Sequence, residues 1–328
     1  MKFKSVFLKE TTTIAGPYEK KGPLYNYFDK TYNDFYFGEK SFEKAEIKIS
    51  KESINMLQKK IGLNYTDIDL IVGGDLSNQI AITSLASQNK SKSFLGIYGA
   101  CSTSIEAIII ASSFIDSKKI KNAIVTVSSH NLTSEKQFRN PVEYGAPRPD
   151  TATFTSTGAS SILLTNEKTE IKIESATIGK IIDFNQNDVN NMGKVMAPAA
   201  ADTIKKHLDE TKRKPDYYDL ILTGDLGIYG REILIEYMLK EYNIDLSNNY
   251  NDCGTMLYDL NNQKEVKAGG SGPVCSALVN FSYIYQMLRK KKMKRVLLVA
   301  TGALFSPTTL NQKENILSIA HAISLEAL

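Results

Sequence analysis

The sequence has few of the residues that build metal sites, disulfide frameworks or membrane spans. Its 328 residues include only three cysteines and three histidines, with no Cys-x-x-Cys spacing, which argues against a disulfide scaffold and a zinc site. So few cysteines favour a reducing compartment. No stretch reaches the ~20 apolar residues of a membrane span, and the N-terminus lacks the apolar segment of a signal peptide. These absences predict a protein that is soluble or lies on a membrane surface.

An excess of one charge is also missing. The 40 basic and 36 acidic residues leave a net charge of +4, too small to argue for a nucleic-acid partner. One basic run, 289–295, falls at a predicted helix end, where cations complement the helix dipole. Contact with acidic lipid headgroups is the alternative interpretation. A hydrophobic content of 42% allows a large core, in one domain or in two halves of about 150 residues.

What the sequence does contain is a cysteine at a predicted strand-to-helix turn. Residues 94–98 form a short apolar run, expected as a buried strand, and residues 105–115 can form a buried helix. Between them, Gly99–Ser104 consists of small residues around Cys101. Because a helix N-terminus favours an anion, we expect a lowered pKa for this thiol. The alternative is a small buried cysteine kept for packing.

The chain repeats itself. The segment 69–76 matches 219–226 at an offset of 150 residues, and 119–129 matches 292–302 at an offset of 173. Each half is therefore predicted to be the same unit of alternating helices and mostly parallel strands. At the second offset Cys101 falls on Val274 and His130 on Ala303, so only the first copy keeps the thiol and the imidazole.

Other stretches predict the elements around this plan. Residues 12–38 carry Gly-Pro loop signals and many aromatics, expected to pack on the protein's own core, with a partner surface as the alternative. Residues 40–60 and 198–209 have helical periodicity, and residues 122–130 and 155–165 are predicted strands.

A duplicated α/β unit with a cysteine at the start of the first central helix resembles the thiolase and ketoacyl-synthase superfamily. Within it, the chain is similar to a family of thiolase-like stage V sporulation proteins of spore-forming bacteria. The segments that carry this resemblance, in order, are Ala15–Pro17 with Lys21–Leu24 and Phe28–Tyr32, Gly99–Ser104, Ser128–Asn131, Gln137–Arg139, Met196–Ile204, Asn251–Gly254, Ala268–Gly272 and Ala300–Leu304. The resemblance implies five layers, α-β-α-β-α, a homodimer, and halves spanning 1–168 and 169–328.

The resemblance also implies where catalytic partners of the thiol would lie, and the residues there do not match. The superfamily places histidine with asparagine or cysteine in the second half, but 224–227 contain no histidine, and 270–275 offer only Cys275. Of the histidines, His207 is expected to be exposed and His321 to lie in the core. His130 ends a first-half strand and could approach Cys101. Acyl transfer therefore lacks its general base, although an acyl-transfer or condensing enzyme using Cys101 remains the alternative.

The family resemblance implies binding of dipicolinic acid, pyridine-2,6-dicarboxylate, and a role in its uptake into the developing spore. A flat dianion needs N–H donors, cations and an apolar slot. We expect the helix start from Cys101 to Ser104 to supply donors and Arg139 and Arg148 the cations, with exposed loop charges as the alternative. The full predicted set is Cys101, Ser102, His130, Arg139, Arg148, Asp225, Asn251 and Ser271.

Asp225 is an unexpected member of this set, because a carboxylate repels a dianion. It fits if it binds Ca²⁺ together with the ligand, is protonated, or caps a helix, and Asp75 at the matching position of the first copy favours the cap. No other cofactor is expected. The implied partners are dipicolinic acid and other subunits of a spore membrane uptake complex, and the implied location is the cytoplasmic side, peripheral on the developing spore's inner membrane.

Overall fold

The computed structural model describes residues 1–62, 65–88, 90, 92–138 and 147–328. Its strands are β1 (Phe7–Ala15), β2 (Lys30–Thr31), β3 (Leu70–Gly74), β4 (Ser93–Gly96), β5 (Asn122–Ser129), β6 (Phe154–Thr155), β7 (Gly158–Thr165), β8 (Ile171–Ile178), β9 (Ile182–Asp183), β10 (Leu220–Thr223), β11 (Tyr250–Asp252), β12 (Gly270–Ser271), β13 (Arg295–Leu304) and β14 (Leu317–Ala327). Its α-helices are α1 (Phe42–Ile61), α2 (Ala81–Ser87), α3 (Thr103–Asp116), α4 (Asn131–Phe138), α5 (Met192–Thr211), α6 (Gly227–Tyr242), α7 (Cys253–Met256), α8 (Pro273–Leu278), α9 (Tyr285–Arg289) and α10 (Pro307–Asn311).

The strand order shows the predicted duplication. The main sheet runs β11-β10-β13-β14-β8-β1-β7-β5-β3-β4. Outward from the β8–β1 junction, each arm makes two antiparallel pairings followed by two parallel ones. The prediction of mostly parallel strands is therefore wrong: the strands nearest the junction pair antiparallel, and only the outer ones, reached through helical crossovers, are parallel.

Helices cover both arms and separate them. Helices α1 and α2 pack on the first arm, α5 and α6 belong to the second, and α3 and α8 lie between the two arms. The central pair meets where the Ser104 and Ser276 hydroxyls lie 3.3 Å apart. This is the five-layer α-β-α-β-α arrangement expected from the sequence, and it places the start of α3 deep inside the molecule.

Several local predictions can be compared with the elements observed. The helix predicted at 40–60 is α1, which starts after the Ser41 cap and ends at Gly62, whose φ is +63°. The apolar run 94–98 is not a buried strand: β4 is an edge strand, and Leu95 and Tyr98 are exposed. The helix predicted at 198–209 starts earlier, at Met192, and contains Pro198.

The aromatic loop packs mainly on the protein's own core, as expected. Tyr18, Tyr27, Phe28 and Phe35 contact the main hydrophobic cluster. Within the ranges described, each helix is too short or too polar to cross a bilayer.

Candidate functional site

Cys101 lies in a tight turn immediately before α3. Residues Ala100–Ser102 form one 3-10 turn, with Ala100 in the left-handed region at φ +51°. The Thr103 hydroxyl accepts from Gly99 N and donates to Ala100 O, and the Ser102 hydroxyl donates to Gly99 O. The turn therefore uses the Ser102 side chain for its own closure, and Ser102 does not line the adjacent pocket.

A small pocket opens beside the Cys101 thiol. Its walls come from both halves and are formed by Leu76, Tyr98, Ala100, Cys101, Ser134, Phe138, Thr155, Met192, Ser271, Gly272, Ala303 and Phe305. The two-residue strands β6 and β12 pair Thr155 with Ser271 and so bring both hydroxyls to one wall. These described lining residues carry no charge, and the cavity volume of about 40 Å³ holds only a few waters.

A buried carboxyl from the second half, Asp225, faces the Cys101 thiol. Thr301 donates its hydroxyl to Asp225 Oδ1 at 2.5 Å. Oδ2 is buried, and no described residue gives it a hydrogen bond of good geometry, although the Cys101 thiol and the backbone N–H of Gly272 both approach the carboxyl. Burial raises the pKa of Asp225 to about 7. The protonated form is therefore well populated at neutral pH.

The expected helix cap at Asp225 is wrong, because Asp252 at the end of β11 caps that helix instead. Asp252 accepts from Leu226 N and Gly227 N at 2.9 Å and from Gly254 N at 3.0 Å. In the first copy Asp75 does cap, accepting from the backbone and hydroxyl of Thr83. In the second copy the capping residue is therefore Asp252, and the Asp225 carboxyl can contact the Cys101 thiol instead.

The predicted lowering of the thiol pKa is also wrong. Burial, and then the neighbouring Asp225 carboxylate, hold the pKa of Cys101 well above its ordinary value. The Gly272 N–H, which favours the thiolate, is outweighed. A neutral thiol is a poorer nucleophile than a thiolate.

We expect Cys101 to resist alkylation. In the folded protein, iodoacetamide should modify Cys101 more than about tenfold more slowly at neutral pH than in the same chain unfolded in urea, with the rate still rising beyond about pH 9. Peptide mass spectrometry of the Cys101 peptide measures both rates. A rate plateau near neutral pH in the folded protein would show a low thiol pKa and contradict this prediction.

His130 does not approach the thiol. Its Nε2 donates to Phe35 O at 2.8 Å, and its ring packs against Phe35, Phe37 and Phe42. Burial lowers the pKa of His130 to about 4. The residue is fully buried outside the pocket lining, so its predicted contact with Cys101 is wrong.

The other two histidines also lie outside the pocket lining. His207, predicted to be exposed, is fully buried, with Nδ1 2.9 Å from the Thr177 hydroxyl and Nε2 2.8 Å from the Tyr218 hydroxyl. His321 lies in the core as predicted, accepting from Gly179 N at Nδ1.

The remaining predicted site residues have mixed positions. Ser271 lines the pocket with Cys101. Arg148 donates to Thr153 O at 2.5 Å and lies over the Phe154 ring, away from the lining. Asn251 accepts from Asp252 N and the Thr255 hydroxyl and so serves the start of α7. Arg139 lies outside the described residues.

The sequence patterns did not predict most of the pocket's apolar wall, and they did not predict the helix cap formed by Asp252. Leu76, Phe138, Met192 and Phe305 come from separate parts of the chain and share no sequence pattern. The capping role of Asp252 was not foreseen, although the Asx-type pattern Asp252-Cys253-Gly254 is a visible helix-start signal.

An internal duplication with paired central helices and a cysteine at the start of the first defines a thiolase-like protein. Solved structures of this fold include 3-oxoacyl-[acyl-carrier-protein] synthase III from Aquifex aeolicus VF5, with TM-score 0.58, 15% identity and coverage of 98% of this chain and 99% of that one. A crystal structure of an OleA variant from Xanthomonas campestris is also similar, with TM-score 0.62, 13% identity and 99% of each chain covered. At these identities the likeness concerns the fold alone.

Within that class, the chain belongs to the stage V sporulation protein AD family, whose model matches residues 1–326. Stage V sporulation protein AD of Bacillus subtilis (strain 168) is 45% identical over 321 residues, covering 98% of this chain and 94% of that protein.

Proposed function

We propose that this chain is a non-enzymatic protein that binds dipicolinic acid, or its calcium complex, and acts in dipicolinate uptake into the developing spore. The observation that carries the non-enzymatic part is the neighbour of Cys101, a buried carboxyl rather than an imidazole. All three histidines of the chain are engaged elsewhere. The ligand is the one that the sequence resemblance implies, and membership of the stage V sporulation protein AD family supports a role in sporulation.

The pocket offers part of what a flat aromatic diacid needs. The hydroxyls of Ser134, Thr155 and Ser271 can donate to carboxylates, and Phe138 and Phe305 provide aromatic faces. A protonated Asp225 removes the repulsion that its charge would cause. Since an aromatic ring alone fills a cavity of about 150 Å³, binding requires the pocket to widen. Separation of Phe138 and Phe305, whose ring centroids are 6.0 Å apart, would provide that room.

Calorimetry with dipicolinate, with and without Ca²⁺, tests this proposal. Ser134→Ala and Ser271→Ala should each weaken binding about tenfold or more, because each removes a hydrogen bond to a charged group. Cys101→Ala should also weaken dipicolinate binding, and the loss of binding free energy should exceed the loss in the free energy of unfolding. Ser117→Ala, an exposed serine at the far end of α3, is the matched control and should bind like wild type. Folded wild type that gives no heat at millimolar dipicolinate would remove the proposal.

Acyl transfer at Cys101 is the second candidate, because the thiol lines the pocket and the fold is shared with condensing enzymes. Incubation with acyl-CoA followed by mass spectrometry separates the two functions. A covalent acyl group on Cys101, with turnover, would favour the enzyme, and an unmodified thiol favours the binding protein.

We also propose a homodimer that lies on the cytoplasmic side of the developing spore's inner membrane, beside other subunits of an uptake complex. The edge strand β4 supports the dimer, because no described strand pairs with its outer side and because Leu95 in it and Tyr98 just after it are exposed. A second copy on this edge would cover Tyr98, which also lines the pocket.

A further inference from the structure

A second and larger cleft lies away from Cys101, where β1 meets the end of the central helix of the second half. Its volume is about 350 Å³, and it shares no lining residue with the Cys101 pocket. Aromatic rings of Tyr27, Phe281 and Tyr285 form much of its wall. The cleft is therefore large enough for a small organic molecule without rearrangement, in contrast to the Cys101 pocket.

The cleft coincides with a departure from the internal symmetry. In the first copy the central helix α3 is regular from Thr103 to Asp116, whereas in the second copy α8 passes into a π-helical turn, Val279–Ile284, before α9. Phe281 and Ser282 of this widened turn line the cleft, and Phe281 O accepts from the Thr11 hydroxyl on β1 at 2.7 Å. Such turns occur frequently at functional sites. The second copy has thus acquired a feature that shapes this cleft.

Six charged side chains surround the cleft, three of each sign. The acids are Glu10, Asp29 and Glu170, and the bases are Lys60, Arg289 and Lys290. The charges are therefore balanced, and the cleft as a whole attracts neither an anion nor a cation.

The inner and outer parts of the cleft differ in net charge. Lys60 Nζ lies 2.6 Å from Asp29 and 3.9 Å from Glu10, and all three side chains are about two-thirds buried or more. Arg289 pairs with the more exposed Glu170 at 2.9 Å, and Lys290 Nζ lies 3.4 Å from the amide oxygen of Gln286. The inner part thus has one acid in excess over Lys60, and the outer part has one base in excess over Glu170, so the two parts can engage opposite charges on one ligand.

We propose that this cleft binds a small aromatic zwitterion of the chemical class of an aromatic amino acid. The ligand's ammonium group would lie near Glu10 and Asp29, and its carboxylate near Arg289 and Lys290. Its ring would pack against Tyr27 and Tyr285, where ring–ring contact adds to apolar burial. Both charges are needed, because a ligand with a single charge can pair favourably with only one of the two parts of the cleft. This site is independent of the proposed dipicolinate site.

Calorimetry with L-phenylalanine, 3-phenylpropionate and 2-phenylethylamine tests this proposal, since the last two each lack one charge. We expect phenylalanine to bind at least about tenfold more tightly than either analogue. Glu10→Gln and Lys290→Met should each weaken phenylalanine binding several-fold. The matched controls Glu167→Gln and Lys292→Met, exposed residues outside the cleft, should not.

Three results would overturn the proposal: no heat with millimolar phenylalanine and folded wild type, equal affinities for the three compounds, or unchanged binding in both cleft variants. Ser134→Ala and Ser271→Ala distinguish binding in this cleft from binding in the Cys101 pocket. Both should leave phenylalanine binding intact, and a loss of phenylalanine binding in them would place the ligand in that pocket instead.

Discussion

Asp252→Ala is expected to lower the free energy of unfolding by about 4 kcal/mol, because it leaves several buried donors without an acceptor. The Asp252 carboxylate accepts from three backbone N–H groups and from the Thr223 hydroxyl at 2.7 Å, and it is fully buried. Urea unfolding followed by circular dichroism measures the loss. Should the alanine variant fail to fold, Asp252→Asn retains one acceptor oxygen and should lose about half as much.

The control for this prediction is Asp245→Ala. Asp245 also accepts a backbone N–H, that of Ser247, but it is exposed, so water replaces the lost bond and the change in stability should be much smaller. Asp75→Ala, which removes the equivalent cap of the first copy, should resemble Asp252→Ala. Equal losses in the Asp245 and Asp252 variants would show that the buried cap contributes no more than a surface one.

Glu19→Gln is expected to stabilise the protein at pH 8, by up to about 3 kcal/mol. Burial raises the pKa of Glu19 from 4.5 to about 7, which corresponds to about 3 kcal/mol of unfavourable ionisation in the folded state. Its Oε1 accepts from Thr157 N and the Tyr258 hydroxyl, and its buried Oε2 has no hydrogen-bond partner among the residues that the structure describes. Glutamine keeps the acceptor and cannot ionise.

The sign of the pH dependence follows from the raised pKa. Below the unfolded-state pKa both states bind the proton and the wild type has its full stability, which falls as the pH rises towards about 7. The variant and wild type should therefore be similar near pH 4 and diverge by pH 8, as measured by urea unfolding at both values. Glu232→Gln, at an exposed position, should show no divergence. A less stable Glu19→Gln at pH 8 would contradict the prediction.

Predictions from local sequence were most reliable where the cause is local. The small residues around Cys101, followed by an apolar stretch, determine a turn and a buried helix, and α3 is present as expected. The repeated segments around Asp75 and Asp225 likewise end equivalent strands, β3 and β10. These features depend on residues within one turn or strand of each other.

The predictions were wrong where a residue far away in the sequence determines the contacts or the pKa of a side chain. Asp75 and Asp225 have similar local sequences, yet only Asp75 caps, because Asp252 at the end of β11 caps α6. The pKa of Cys101 is raised because it is buried and because Asp225, from the other half, lies beside it. His207 follows two lysines, but helical periodicity turns it towards Thr177 while Lys206 points outward.

The residues of a strand also do not show whether it lies at the centre or at the edge of the sheet. The run 94–98 is apolar enough for a buried strand, but among the described strands β4 pairs only with β3 and therefore lies at the edge of the sheet. Pocket residues such as Met192 and Phe305 are brought together by the packing of separate elements and could not be inferred from spacing.

The layer formed by α3 and α8, which both halves share, determines whether either half can be stable alone. Strand β1 pairs directly with β8, and α3 contacts strands of both arms, including β5 and β13. Either half alone would expose to water the apolar helix surface that the other half now covers. Two complete copies of the strand plan thus form a single cooperative folding unit, and cutting the chain at the repeat boundary would not release two stable proteins.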